Sequence, residues 1–253
     1  MNTILLILLA TIILDTSRSA VMLHRANKHF YNGYKKRPEI STLGRGKSFH
    51  FVIMGDSTMD GSSTSKLQFG PAQVLVDTLA NKYKVTVHSL ATAGAKSSDV
   101  VRDQLPVVNA LPKVDIIFIY MGANDVIRFV RPSVIAGNYR KILISTQERQ
   151  IPVIASEIVN YWYFSIFSVW HRLWIYFAVN SANRWTRSLV SGYKNFVLIY
   201  VKKLHKRYRG KQYLADGFHP SDITHKAWGQ YILAQVSHNP KTKKLFAGII
   251  PRS

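Results

Sequence analysis

Short apolar runs alternate with amphipathic segments along most of the chain. An apolar run of about four to eight residues between turn residues is typical of a buried strand, whereas apolar positions at helical spacing predict a helix. Strands are expected at residues 49–54, 85–90, 114–121 and 151–157. Helices are expected at residues 69–81, 97–105 and 132–147. This alternation predicts an α/β fold, with a mainly parallel sheet that carries helices on both faces.

The N-terminal region differs, because a nearly unbroken apolar run extends from Ile4 to Leu14. Extended to Leu23, it is as long as a membrane span, although it then contains Asp15 and Arg18. The basic residues follow the run. By the positive-inside tendency, this favours an uncleaved anchor with the body of the protein on the cytoplasmic side of the membrane. The opposite orientation, with the body on the other side, remains an alternative. The alternatives are a buried N-terminal helix and a cleaved signal peptide, which would make the protein secreted or periplasmic.

Residues 26–48 are polar and basic and contain several glycines and a proline, which is typical of a linker. The whole chain has 253 residues, of which 47% are hydrophobic, enough for one domain with a substantial core. We therefore expect a hydrophobic anchor or signal at residues 1–25, a basic linker at 26–48, one globular domain at 49–240 and a basic tail at 241–253.

The formal net charge is +21, from 34 Lys and Arg against 13 Asp and Glu. Such a surplus attracts anionic surfaces, and we expect an anionic membrane surface as a partner. No zinc-finger spacing or nucleic-acid recognition motif is present, so specific nucleic-acid binding is not expected. Cysteine is absent, and the histidines lack metal-ligand spacing. We therefore expect neither a metal nor a cofactor.

Residues with catalytic chemistry follow three of the apolar runs, and a fourth group lies near the C-terminus. Active sites of parallel sheets gather at the carboxyl ends of the strands. The four groups read Gly55-Asp56-Ser57, Ala93-Gly94-Ala95, Gly122-Ala123-Asn124-Asp125 and Asp216-Gly217-Phe218-His219-Pro220.

These groups contain every part that a serine hydrolase needs. The Ser57 hydroxyl becomes a nucleophile when an imidazole, here His219, removes its proton. The imidazole in turn needs a carboxylate on its other nitrogen, and Asp216 is close enough along the chain to supply it. The backbone N–H groups of Ser57 and Gly94 and the side-chain amide of Asn124 could form an oxyanion hole. A glycine suits a backbone that must approach a substrate closely.

The motifs resemble those of SGNH (GDSL-like) hydrolases, in family order across residues 49–230. The first block reads F-V-I-M-G-D-S-T-M-D-G, the second A-T-A-G-A-K-S-S-D-V, the third I-Y-M-G-A-N-D-V and the fifth D-G-F-H-P-S. The resemblance, more narrowly to bacterial members with an N-terminal hydrophobic segment, implies a three-layer α/β/α sandwich of the flavodoxin-like kind. It also implies a nucleophile at Ser57, a base at His219 with Asp216 as its orienting acid, and an oxyanion hole at Ser57, Gly94 and Asn124. Thr58 replaces the leucine of the family name, and the second block lacks the asparagine that often precedes its glycine.

Other polar residues are expected to support the site or to lie outside it. Asp56 is expected to shape the turn before the serine, and Asp125 to brace the loop in which it lies. The remaining histidines, among them His171 and His225, are expected on the surface or on helix faces.

An aromatic segment at residues 161–177 bears on the substrate. It is too short and too interrupted to predict a membrane span. The alternatives are an interfacial helix, a lid or part of an acyl pocket, and ordinary core packing. We expect a hydrolase of small carboxylic esters, of acyl or lipid-like type, that works through an acyl-enzyme. The alternatives are a carbohydrate O-deacetylase and a catalytically silent binding module attached to the membrane.

Overall fold

The computed structural model describes residues 3–33, 39–61, 63–64, 69–201 and 217–238. The strands are β1 (Ile40–Leu43), β2 (Lys47–Gly55), β3 (Tyr83–Ser89), β4 (Ile116–Tyr120), β5 (Val153–Ser156) and β6 (Phe196–Ile199). In the described part of the chain they form one sheet in the order β1-β3-β2-β4-β5-β6. All neighbouring pairs are parallel except β1 and β3. The parallel strands have the order of a flavodoxin-like sheet, which confirms the expected α/β class.

Helices connect and flank these strands. They are α1 (Thr3–Gly33), α2 (Ser57–Asp60), α3 (Gln73–Ala80), α4 (Ser97–Asp99), α5 (Leu105–Ala110), α6 (Ala123–Ile127), α7 (Pro132–Glu148), α8 (Val169–Val190) and α9 (Asp222–His238). Shorter turns are the 3-10 segments Gly70–Ala72 and Tyr161–Tyr163 and the π-helical segment Val100–Gln104. Helix α3 packs against α9, and α7 against α8. Helix α3 connects β2 to β3 in one direction along the sheet, and α7 connects β4 to β5 in the other. Since such connections between parallel strands are right-handed, the two helix pairs lie on opposite faces of the sheet.

The core centres on β2 and β4. Every residue of β4 is buried, as are the last five residues of β2. Strands covered on both faces need continuous apolar sequence, and the two runs that form β2 and β4 have it. Both strands end at the same edge of the sheet, where the turns that follow them carry Ser57 and Asn124.

The linker expected at residues 26–48 is corrected in part. Helix α1 continues to Gly33, and β1 and the start of β2 also lie within this range. Strand β1 was missed because it is a four-residue edge strand with alternating exposure, paired on one side only with β3. Helix α9 and strand β6 lie where no element is expected, and α8 begins within residues 161–177, for which a helix is one of the alternatives. The basic tail at 241–253 lies outside the described residues.

Helix α1 contacts the domain through the polar residues that interrupt its apolar run. The Ser19 hydroxyl, which is buried, accepts a hydrogen bond of 2.7 Å from the backbone N–H of Ser168. The Asp15 carboxylate accepts one of 3.0 Å from the N–H of Trp170. Helix α8 begins at Val169, so both acceptors serve its N-terminus, where N–H groups lack helical partners and a negative charge is favourable.

The part of α1 on the N-terminal side of Asp15 is mostly exposed. Residues 3–25 are long and apolar enough to cross a membrane by length and composition. The large side chains that are more than one third exposed in this part are Ile4, Leu5, Leu6, Ile7, Leu8, Leu9, Ile13 and Leu14. The N-terminal part of α1, up to Leu14, is therefore an exposed apolar helix. The turns that contain Asp15 and Ser19 are held against the domain.

We predict that Ser19→Ala and Asp15→Ala each lower the free energy of unfolding by about 1 kcal/mol, because each removes a hydrogen-bond acceptor at the N-terminus of α8. Thermal unfolding of the full chain in detergent measures the effect. Thr11→Ala is the matched control, since the Thr11 hydroxyl is exposed and bonds only to the Ile7 carbonyl of its own helix. Equal melting temperatures for all three variants and the unmodified chain would contradict the docking role.

Candidate active site

Ser57 lies at the turn between β2 and α2. Asp56 has an extended backbone and caps α2, its Oδ1 accepting a hydrogen bond of 2.9 Å from the Thr58 N–H. Gly55 has φ +137°, and a Cβ there would lie 2.1 Å from the Tyr120 carbonyl oxygen. Only glycine can therefore occupy the position where β2 passes β4 and turns toward the serine.

His219 faces this serine from the segment before α9. The distance between Ser57 Oγ and His219 Nε2 is 3.0 Å, and both side chains are buried. With the proton of the neutral imidazole on Nδ1, the Ser57 hydroxyl donates to Nε2, which is the arrangement that general-base catalysis requires.

Asn124 lies in the first turn of α6, directly after β4. Its Nδ2 donates a hydrogen bond of 3.1 Å to the carbonyl of Ala95. Gly94, the preceding residue, has φ +79°. An amide nitrogen carries two hydrogens, so a second N–H of Asn124 remains for a ligand. This contact links the loop that contains Gly94 to the turn that contains Asn124.

The Ser57 N–H is the remaining backbone donor at the turn. The three N–H groups that follow it donate to Asp56, that of Thr58 to the side chain and those of Met59 and Asp60 to the carbonyl. Among the described residues, the Ser57 N–H itself has no acceptor. It therefore stays available beside the hydroxyl of the same residue.

Asp125 holds the neighbouring loop by a two-point contact. Its carboxylate accepts hydrogen bonds of 2.7 Å from the Ser97 N–H and from the Ser97 hydroxyl. The Asn138 amide donates to the same hydroxyl over 2.9 Å. Burial raises the pKa of Asp125, and the two bonds from Ser97 act against that shift. The contact joins α6 to α4, the short helix that follows the loop containing Gly94.

Gln104 is a positioning residue that sequence reasoning missed. Its Oε1 accepts from the Gly55 N–H and its Nε2 donates to the Gly55 carbonyl, both over 2.8 Å. The side chain is buried and ends the π-helical segment. Gln104 therefore clamps the peptide just before Asp56-Ser57. No local motif marks it, since the contact joins residues that are 49 positions apart.

The electrostatics of the site are set mainly by burial. Desolvation raises the pKa of Asp56 to about 7, against the lowering effect of its bonds from Thr58, and the nearby carboxylates of Asp60 and Asp125 raise it further. Burial lowers the pKa of His225 to about 3, helped by the neighbouring His219. His225 is thus neutral at physiological pH.

An apolar pocket opens on Ser57 and His219. Its other walls are mainly apolar or aromatic and include Val159, Tyr161, Phe164, Val201, Phe218 and Trp228. Tyr161 and Phe164 come from the aromatic segment 161–177, which divides its residues among several environments. Phe167 is buried in the core, whereas Trp170 and Phe177 are exposed on α8.

The structure brings Ser57, His219 and Asn124 to one pocket, with Gly94 in the adjoining loop. Asp216 lies outside the described residues. Of the expected surface or helix-face positions for His171 and His225, the helix faces are found, on α8 and α9, but both side chains are buried by contacts distant in sequence. Within the described ranges, no group of three His, Asp or Glu side chains could hold a metal ion.

Solved structures with the same fold include several esterases. The acetylxylan esterase Axe2 from Geobacillus stearothermophilus is 19% identical, with a TM-score of 0.58 over 76% of this chain and 95% of that one. The esterase EstA from Pseudoalteromonas sp. is 12% identical, with a TM-score of 0.57 over 74% and 96%. TesA is 17% identical, with a TM-score of 0.59 over 76% and 99%. At these identities the likeness shows the fold.

The family is shown by the sequence itself. The GDSL-like lipase/acylhydrolase family matches residues 53–227, a range that begins in β2 and ends in α9. A search of curated proteins gave no match. Because the family match covers more than half of the 253 residues, this chain belongs to the GDSL-like lipase/acylhydrolase family.

Proposed function

We propose that this chain is a serine esterase that hydrolyses acyl or lipid-like carboxylic esters through an acyl-enzyme. The observation that carries the proposal is the 3.0 Å contact between Ser57 Oγ and His219 Nε2 in a buried, apolar pocket. A serine hydroxyl paired with a neutral imidazole can lose its proton as it attacks, which is the requirement for nucleophilic catalysis.

The reaction has two halves. In the first, Ser57 Oγ attacks the ester carbonyl carbon while His219 Nε2 takes the hydroxyl proton. The tetrahedral intermediate collapses to an acyl-serine, and His219 returns the proton to the departing alcohol. In the second half, His219 deprotonates a water molecule that attacks the acyl-serine, and the proton then passes to Ser57 as the acid leaves.

The carbonyl oxygen gains negative charge in each tetrahedral intermediate and needs donors that already point to it. We assign this role to the second N–H of Asn124 and to the backbone N–H groups of Ser57 and Gly94. The contact from Asn124 to the Ala95 carbonyl supports the assignment, because it fixes two of these donors relative to each other.

Three carboxylates take supporting roles in this proposal. Asp216 orients the His219 imidazole and stabilises the cation that forms during proton transfer. Asp56 holds the backbone of the nucleophile turn through its bond from Thr58, and Asp125 holds the loop at Ser97. Asp56 and Asp125 act on the backbone and do not transfer protons.

The apolar pocket supports a hydrocarbon acyl group. Burial of apolar surface stabilises a bound chain by about 0.8 kcal/mol per methylene group, so a longer acyl chain gains affinity until the pocket is full. Carbohydrate O-deacetylation is a second candidate, favoured by the similarity to an acetylxylan esterase. A silent binding module has no use for a serine and a histidine in hydrogen-bond contact.

We also propose that α1 is retained as a membrane anchor. The bonds from Ser168, the N-cap of α8, to Ser19 and from Trp170 to Asp15 support this, since cleavage near residues 17–20 would remove at least the Asp15 contact from the fold. The net charge of +21 would add attraction to an anionic membrane surface.

We predict that Ser57→Ala abolishes turnover of p-nitrophenyl esters and labelling by a fluorophosphonate, because the attacking oxygen is lost. The melting temperature should change little, since the substitution removes one oxygen atom from a small buried side chain. Ser145→Ala is the control, as Ser145 is partly buried on α7 and, within the described part of the chain, its hydroxyl bonds only to Asn109. Normal labelling of Ser57→Ala would exclude Ser57 as the nucleophile.

Asn124→Ala should lower kcat roughly a hundredfold or more, the usual cost of one oxyanion donor. The KM should change less, because the interaction is made mainly in the transition state. Steady-state kinetics test both numbers. Asn180→Ala serves for comparison, since Asn180 is exposed and its amide donates within α8. Normal turnover by Asn124→Ala would remove Asn124 from the oxyanion hole.

The two substrate candidates differ in their dependence on chain length. With p-nitrophenyl esters of increasing length, we predict that kcat/KM rises beyond acetate, and that Val159→Trp, which narrows the pocket, moves the preference back toward acetate. Val134→Trp is the matched control on the exposed side of α7. A strong preference for acetate in the unmodified enzyme would favour the O-deacetylase.

A further inference from the structure

A second pocket lies between α1 and the catalytic domain. It has a volume of about 340 Å³. One wall comes from α1, through residues that include Thr16, Ala20 and Leu23, and the opposite wall includes Phe129 and His171. The lining is mixed, unlike that of the apolar pocket at Ser57, because it combines these apolar side chains with several polar ones.

The two pockets are neighbours at the catalytic centre. Asn124 and Phe218 line both of them. If an ester is held with its carbonyl at Asn124, its acyl chain can lie in one pocket and its alcohol portion in the other. The apolar pocket suits a hydrocarbon acyl chain, which leaves the mixed pocket for the alcohol portion.

His171 gives this pocket a specific polar group. The side chain is 3% exposed, and its Nε2 lies 2.9 Å from the carbonyl oxygen of Ile127, so that nitrogen carries the proton and donates. Burial lowers the pKa of His171, which keeps the imidazole neutral and makes Nδ1 an acceptor. Nδ1 is itself buried beside the pocket and has no hydrogen-bond partner within the described part of the chain.

Phe129, whose ring lies against His171, has an unusual backbone conformation. Phe129 has φ +59°, a region that bulky side chains rarely adopt, and is about half exposed. Its ring stacks on the imidazole with a centroid distance of 4.6 Å and an interplanar angle of 17°. The stack fixes the plane of the imidazole and covers one face of it.

The turns of α1 that line the pocket are also needed if α1 is to span a bilayer. The exposed apolar part of α1, residues 3–14, is about 18 Å long at the helical rise of about 1.5 Å per residue. This is shorter than the hydrocarbon core of about 30 Å. A spanning α1 therefore needs residues 15–25 as well, the turns that contact α8 and line the pocket.

We propose that α1 forms one wall of the substrate site and that the mixed pocket binds the alcohol portion of a membrane lipid ester, with His171 Nδ1 accepting a hydrogen bond from a free hydroxyl of that alcohol. The ester enters from the bilayer beside α1 and presents its carbonyl to Ser57. This inference rests on the proposed esterase function and names the substrate class of the same site.

The test compares two oleate esters in vesicles of an ether-linked phosphatidylcholine, which an esterase cannot cleave. Mono-oleoylglycerol has free hydroxyls on its alcohol portion, and ethyl oleate has none. We expect the unmodified full chain to prefer mono-oleoylglycerol in kcat/KM, and His171→Phe to reduce that preference about tenfold, the usual effect of one hydrogen bond. His171→Gln, which retains a donor and an acceptor, should restore part of it.

The wall formed by α1 is tested by Ala20→Trp, which places a large side chain in the pocket. We expect kcat/KM for vesicle-borne mono-oleoylglycerol to fall at least tenfold relative to that for soluble p-nitrophenyl acetate. Val21→Trp is the matched control, because Val21 is exposed on α1 and does not line the pocket. Equal effects of the two variants would overturn the role of α1.

The outcomes separate this inference from the esterase proposal. Absence of any hydrolysis that depends on Ser57 would remove the proposed function itself. Hydrolysis of p-nitrophenyl esters that depends on Ser57, together with an unchanged preference between the two oleates in His171→Phe, would leave the esterase intact and overturn the alcohol pocket alone.

Discussion

The catalytic proposal depends on one hydrogen bond, between side chains that are 162 residues apart in sequence. Ser57 is carried by the turn after the central strand β2, and His219 by the segment that precedes the final helix α9. The parallel strands bring their carboxyl ends to one edge of the sheet, and α9 packs back against α3. The 3.0 Å contact therefore requires nearly the whole domain to be folded. The part played by the sheet is to hold two reactive groups at a fixed separation.

The local geometry at that edge is maintained by side chains that bond to backbone groups. Gln104 clamps the peptide of Gly55, Asp56 caps the turn at Ser57, and Asp125 ties down Ser97. These polar side chains are buried, where an unmade hydrogen bond is costly, so each one strongly favours a single backbone position. Donors held in this way need little reorganisation when charge develops on a substrate. The same physical principle operates at the N-terminal helix, where Asp15 and Ser19 fix α1 to the start of α8.

The sequence predicted the parts of the structure that have local signals. Strands β2 and β4 are short apolar runs, and the residues that follow them belong to recognisable motifs, so the α/β class and the positions of Ser57 and Asn124 could be read directly. Other features depend on contacts that no local pattern reveals. Strand β1 is identified by its pairing with β3, Gln104 by its bonds to Gly55, and the burial of His171 by the packing of α8. Asp15 interrupts the apolar N-terminal run in the sequence, and only the structure shows that it accepts a hydrogen bond at the N-terminus of α8.

The most direct test of the account is an experimental structure of the chain after reaction with a phosphonate that mimics the tetrahedral intermediate. The account predicts phosphorus bonded to Ser57 Oγ, with one phosphonyl oxygen within hydrogen-bond distance of Asn124 Nδ2 and of the Ser57 and Gly94 N–H groups. It also predicts that His219 Nε2 remains beside the serine oxygen. A phosphonyl oxygen that points to solvent, away from all three donors, or a His219 imidazole displaced from the serine would contradict it.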